Sequence, residues 1–200
     1  MKLSIERLTP NLAKTYVDYV DGLSFEHEPR WSSCFCRWYH TECSIEEWQK
    51  RTAAENRQEA LEEIARGNMR GYLAFDQDKC IGWCNANNAQ QFVRLRSHLE
   101  PFIEGRKIGC VICFIIHPEY RGRGVARQLL ARAIEDFKND GYDGVLALPV
   151  EMEGDRQKMY RGTLAMYREQ GFQLIEEHDS VRVMFLEFVE GGLPHANIPG

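Results

Sequence analysis

The chain has 200 residues, of which 44% are hydrophobic and 28% charged, and its formal net charge is −5. That much apolar material can bury a core, which argues against a disordered chain, and the absence of any block of five or six basic residues argues against a general nucleic-acid surface. A small cationic or neutral partner suits the charge balance better.

Met1 to Arg7 lacks the apolar stretch of a signal peptide, and the longest apolar run, Val111 to Ile116, is far too short to cross a bilayer. The expectation is a soluble, cytoplasmic protein with no membrane partner.

Taken in chain order, Lys2 to Leu8 alternates as a first strand, and Pro10 stands where a helix over Asn11 to Val20 begins, with Gly22 closing it. Ser44-Ile45-Glu46-Glu47 has capping-box spacing, and the run to Ala65 lacks Gly and Pro before Gly67-Asn68. This predicts a long polar helix with a middle that is solvated or broken. Tyr72 to Phe75 and Lys79 to Ala86 read as strands around the polar turn Asp76-Gln77-Asp78. Gln90 to Glu104 has no clear period and reads as a loop or short helix.

Ile108 to Ile116 is apolar almost throughout, as in a central strand covered on both faces, and Pro118 ends it. From Arg123 the residues Val125, Leu129, Ala133, Ile134 and Phe137 fall on one helical face, with Gly141 placed to close that helix. Gly144 to Val150 is then a second buried strand, and Asp155 to Gln170 a helix stopped by Gly171. Phe172 to Glu177 and Val181 to Phe188 form a closing hairpin around His178-Asp179-Ser180. One domain over residues 1–189 and a flexible tail over 190–200 are expected.

The chemistry-bearing stretch is Arg121-Gly122-Arg123-Gly124 at the handover from strand to helix. The first turn of a helix carries N–H groups without intrahelical partners and the positive end of the macrodipole, so it favours an anion. Gly122 and Gly124 let a ligand approach the backbone, while Arg121 and Arg123 add positive charge suited to phosphate oxygens. The residues themselves read as a pyrophosphate cradle, or else as an arginine-capped surface turn. Neither the phosphate-loop signature GxxxxGK[ST] nor the third glycine of a dinucleotide fingerprint is present.

The element Arg121-Gly122-Arg123-Gly124-Val125-Ala126, led in by His117-Pro118-Glu119-Tyr120, resembles the Arg/Gln-x-x-Gly-x-Gly/Ala element of the GCN5-related N-acetyltransferase (GNAT) superfamily. Met166-Tyr167-Arg168-Glu169-Gln170-Gly171-Phe172 is similar to that family's Tyr-x-x-x-Gly-Phe element, and the order of strands and helices extends the likeness over most of the chain. The resemblance implies an α/β fold with a mixed, mostly antiparallel central sheet of six to seven strands flanked by helices. It implies acetyl-CoA as co-substrate, its pyrophosphate on the main-chain amides of Arg121, Gly122, Arg123, Gly124, Val125 and Ala126. Phe114, Ile115 and Ile116 would pair with the pantetheine arm. It also implies transfer of an acetyl group to a primary amine of a small molecule or protein by direct attack. A homodimer is left open.

Tyr167 matches the family's acid, which protonates the departing sulfur. Many members carry Asn seven residues before that tyrosine, where this chain has Tyr160. Several relatives place a base on the strand matching Ile108 to Ile116, which holds no carboxylate here, so Glu151 is the first candidate and Glu26 and Glu28 are weaker ones. A non-catalytic acyl-CoA sensor or interaction module is the competing reading.

Seven cysteines, an odd number in a chain of this size, suggest reduced packing thiols. Cys34, Cys36, His40 and Cys43 lie close in sequence, yet their spacing is not that of a zinc knuckle, and no metal is expected; a metal-stabilised module is the third reading. The segment falls where the family builds its acceptor pocket, which Trp31, Phe35, Trp38, Tyr39 and, from a strand, Trp83 would line. Aromatic faces there would clasp an apolar or cationic acceptor.

Overall fold

The computed structural model of the chain describes residues 3–25, 29–150, 160–178 and 181–188. Among these, one sheet has the strand order β1-β2-β3-β4-β5-β7-β6: β1 (Ser4–Arg7), β2 (Gly71–Asp76), β3 (Lys79–Asn88), β4 (Ile108–Ile116), β5 (Gly144–Ala147), β6 (Gln173–His178) and β7 (Val181–Glu187). Only β4 and β5 pair in parallel; the other neighbours are antiparallel. The expected mixed, mostly antiparallel sheet is what forms.

Successive residues of the central strands enter opposite cores. Leu73, Trp83 and Ile112 join Tyr16, Val20 and Ile64 on one face, while Ala74, Cys84 and Val111 join Leu129, Leu130 and Tyr167 on the other. Because both faces are covered, β4 needs apolar residues at every position, which is why its sequence shows no alternation.

The first face is covered by α1 (Ala13–Asp21), α3 (Ala53–Ala65) and α4 (Arg96–Ile103), and the second by α5 (Val125–Asn139) and α6 (Leu164–Glu169). Val125, Leu129, Leu130, Ala133 and Phe137 of α5 are all buried, each larger side chain contributing about 2 kcal/mol relative to exposure.

One expectation is narrowed and two are corrected. Of the two alternatives for the middle of the Ser44 to Ala65 helix, solvated or broken, the structure shows the break. The helices α2 (Ile45–Lys50) and α3 are separate because a second capping box operates at Thr52, where Glu55 N–H donates to Thr52 Oγ1 at 3.2 Å and Thr52 N–H to Glu55 Oε2 at 2.7 Å. The strand expected to reach Val150 pairs with β4 only as far as Val111↔Ala147. Pro149 has no N–H for a ladder, and its carbonyl instead accepts from Arg182 N–H at 2.9 Å. Lastly, no helix runs through residues 160–163: α6 starts after Thr163, whose hydroxyl accepts from Met166 N–H. Residues 151–159 and the expected tail lie outside the described residues.

Two consequences position the site. β4 continues to Ile116 after β5 has turned away, so the two strands diverge. At the end of β4 the chain passes through the short helical turn Pro118–Tyr120 and the turn of residues 121–124 into α5.

Candidate active site at the split between β4 and β5

The corner after β4 is built by backbone conformation. Gly122 and Gly124 both lie in the left-handed region, at φ 72° and 79°, where an L side chain is strained, and Gly124 is the N-cap of α5. No side chain caps this helix, and its first turn holds no acidic residue. A Cβ placed on either glycine would meet nothing within 4 Å. Arg121 N–H donates to Pro118 O at 3.3 Å, which takes one of the expected amides out of the cradle, and the amides from Gly122 to Ala126 lie at the open corner on the positive end of a 15-residue helix.

The two arginines of the element are placed differently. Arg121 turns back, its Nε donating to Ile116 O at 3.1 Å, which holds the corner against the end of β4. Arg123 lies over the ring of Tyr120 at 5.7 Å, and the Tyr120 hydroxyl donates to Asp76 Oδ2 at 2.9 Å. That bond, first among the causes, pushes the phenol up from its ordinary pKa. Val125 points into the core and Ala126 is half-buried.

Within the split, Phe114 N–H donates to Tyr160 O at 2.6 Å. Ile116, two residues on, faces the same side by strand alternation. The Ile115 carbonyl accepts from the Tyr19 hydroxyl at 3.0 Å. Each of the three main-chain positions assigned to a pantetheine arm thus already has a partner within the chain: Tyr160 O for the Phe114 amide, the Tyr19 hydroxyl for the Ile115 carbonyl and Arg121 Nε for the Ile116 carbonyl.

Tyr167 is fully buried, and its hydroxyl donates to Arg161 O at 2.7 Å. Burial pushes this phenol well above its ordinary pKa, so it is protonated throughout the neutral range. Gly162 makes the contact possible: its φ is 83°, and a Cβ there would stand 2.5 Å from Met166 Cε and 3.0 Å from the Tyr167 ring. Sequence reasoning passed over Arg161 and Gly162, though Arg-Gly immediately before a Thr helix cap was a readable sign of a turn.

The aromatic residues of the variable segment separate. Trp31 meets the edge of Tyr160 at 5.0 Å, and the Tyr39 hydroxyl lies 3.0 Å from that of Tyr160. Arg161 joins them, donating from Nε and Nη2 to Tyr39 Oη at 3.1 and 2.6 Å and from Nη1 to Leu148 O at 3.4 Å. Trp38 lies elsewhere, under Arg94 at 3.7 Å. Phe35 and Trp83 are corrections to the expected pocket: both are buried in the core, Trp83 packed on Tyr16 with ring centroids 4.5 Å apart. Glu151, Glu26 and Glu28 lie outside the described residues.

The cysteines diverge as well. Cys36 is buried with its Sγ 3.8 Å from Cys113 Sγ and accepts from Trp83 Nε1 at 3.3 Å. Cys43 Sγ accepts from Arg94 Nη2 at 3.2 Å. Among the described residues no three His, Cys, Asp or Glu side chains are grouped to hold a metal ion. His40 is bonded through Nδ1 to Gln91 O at 3.0 Å and through Nε2 to the Asn85 amide at 3.1 Å. A cleft of about 350 Å³ bounded by Arg7, Arg70, Asn87 and Tyr142 lies at the other end of the strands, away from this corner. Among the described residues no helix is long and apolar enough to cross a membrane.

Residues 33–172 match the model of the acetyltransferase (GNAT) family. No curated protein sequence matches the chain. Among solved structures, the chain is similar to a GNAT-family acetyltransferase from Streptococcus pneumoniae, with a TM-score of 0.56, 17% identity, and 94% of this chain and 100% of that one covered. It is also similar to the PaiA N-acetyltransferase of Thermoplasma acidophilum in complex with coenzyme A, with a TM-score of 0.53, 14% identity, and 94% and 100% covered. The polyamine N-acetyltransferase of Drosophila melanogaster, an enzyme that forms N-acetylagmatine, gives a TM-score of 0.57 at 10% identity, with 94% and 100% covered. At these identities the likeness is one of fold.

Proposed function

The chain belongs to the GNAT acetyltransferase family, and from that premise we propose that it transfers the acetyl group of acetyl-CoA to a primary amine by direct attack in a ternary complex. The observation that carries this reading is the uncapped N-terminus of α5, opened by two left-handed glycines beside diverging strands.

The residues present fit a diphosphate: the amides from Gly122 to Ala126 would bind it, with Arg121 and Arg123 adding positive charge around the turn. Acetyl-CoA supplies an acetyl group activated as a thioester. The arm would follow β4 past Ile116 toward the split, pairing as an added strand does.

At the split the amine nitrogen bonds to the thioester carbon, the carbon–sulfur bond breaks, and the amine sheds a proton. Tyr167 is proposed to protonate the departing sulfur, its hydroxyl turning from Arg161 O to do so. Glu151, next in the chain after Val150, is proposed to take the amine proton directly or through water.

A panel of amines assayed for release of CoA thiol tests the reading. Acceptor-dependent release supports transfer. Tight acetyl-CoA binding without release from any amine favours the sensor reading, for which the existing bond of Tyr167 to Arg161 O would be a purely structural lock.

A further inference from the structure

The Arg161 guanidinium lies in the split, half-buried, between neutral groups: the Tyr39 hydroxyl, Leu148 O, and the rings of Tyr39 and Tyr160 at 5.3 and 5.7 Å. Among the described residues no carboxylate pairs with it. Other arginines in the structure are balanced by acids: Arg37 by Glu59 at 3.0 Å, Arg7 and Arg132 by Asp136 at 2.6 and 3.0 Å, and Arg106 by Glu187. Arg94, which also bonds carbonyls, is clamped on Trp38 outside the split. A chain of net charge −5 has carboxylates to spare, yet none of the described ones balances the cation closest to the proposed chemistry. Holding a guanidinium out of water without a counter-charge is costly, and the cost is recovered when an anion arrives.

We propose that Arg161 selects the acceptor, and that the acceptor is an amine bearing a carboxylate. This rests on the acetyltransferase reading above.

The geometry favours this class over a polycation. Arg161 already occupies the ring faces of Tyr39 and Tyr160 that a cationic head would use, and it would repel a second positive charge there. Its Nε–Nη2 edge is held by Tyr39, which fixes the guanidinium plane. The Nη1 contact to Leu148 O, at 3.4 Å, is long for a hydrogen bond and is readily exchanged for a carboxylate oxygen. Trp31, edge-on to Tyr160, closes one side of the same cluster.

The test compares amino acids and dipeptides with their C-terminal amides and with decarboxylated amines, measuring kcat/KM for CoA release. The carboxylated member of each pair should be preferred, by about a hundredfold in the best pair. Arg161→Gln should bring the ratio toward one while leaving acetyl-CoA affinity unchanged, and Arg161→Lys should restore only part of it. Equal or faster turnover of amides or polyamines overturns the proposal and leaves the acetyltransferase reading standing. Should no amine release CoA, calorimetry of the same amino acids and dipeptides on CoA-saturated protein decides: binding abolished in Arg161→Gln supports the carboxylate site, and no binding by wild type overturns it.

Discussion

The amide of Phe114 and the carbonyl of Tyr160, 2.6 Å apart, close the inner end of the split between β4 and β5 with a turn where a strand would otherwise lie. A cofactor arm added along β4 is therefore confined to the outer end, near Ile116. Amide hydrogen exchange should show Phe114 protected with and without acetyl-CoA, and Ile116 slowed when acetyl-CoA is added. Loss of Phe114 protection on binding would mean that the Tyr160 turn is displaced.

Gly124→Glu should raise the Kd for CoA at least tenfold, about 1.4 kcal/mol, by placing a carboxylate at the anion corner. Gly141 is also left-handed, at φ 71°, and open around its Cβ position, but it sits beyond the opposite end of α5. Gly141→Glu imposes similar backbone strain there and should leave the Kd unchanged. Equal losses from both variants would point to general destabilisation.

Tyr167→Phe removes the donor to Arg161 O and leaves that carbonyl short of a partner, costing about 1–2 kcal/mol of stability. Turnover should fall roughly a hundredfold with acetyl-CoA affinity spared. A variant that is destabilised but turns over at the wild-type rate would leave the hydroxyl a structural lock and remove its role as acid.

Much of the fold was legible because β4 and α5 declare themselves locally. An unbroken apolar run bounded by Pro118 and a one-sided apolar helix leave few alternatives, and the structure gives Ile108–Ile116 and Val125–Asn139. The break before α3 was equally readable in Thr52-x-x-Glu55, a signal hidden inside a run that lacked Gly and Pro. Phe35 and Trp83 could not be sorted from Trp31 and Tyr39 by type, since an aromatic ring serves a core or a pocket alike and only long-range packing decides. Arg161 was invisible for the same reason: its neighbours include residues 39 and 148, and the lack of a paired carboxylate among the described residues leaves no trace in local sequence.

His40 supplies a pH signature. Burial first, and the charge of Arg37 second, push its imidazole down to about 4, below its unfolded value of about 6.5. A depressed folded value gives stability that is complete above the unfolded pKa and is lost as pH falls through the folded one. Denaturant titrations should therefore lose about 2 kcal/mol between roughly pH 6.5 and pH 4, discounted for partial exposure. His40→Gln should flatten that limb, and an unaltered slope would assign the loss to other groups.

The most direct test is a crystal structure of the chain with acetyl-CoA. The diphosphate should be seated on the amides of Gly122 to Ala126, with the thioester directed at the split below Tyr167. A complex whose diphosphate lies elsewhere, or a saturating soak that leaves the corner before α5 empty, would contradict the assignment.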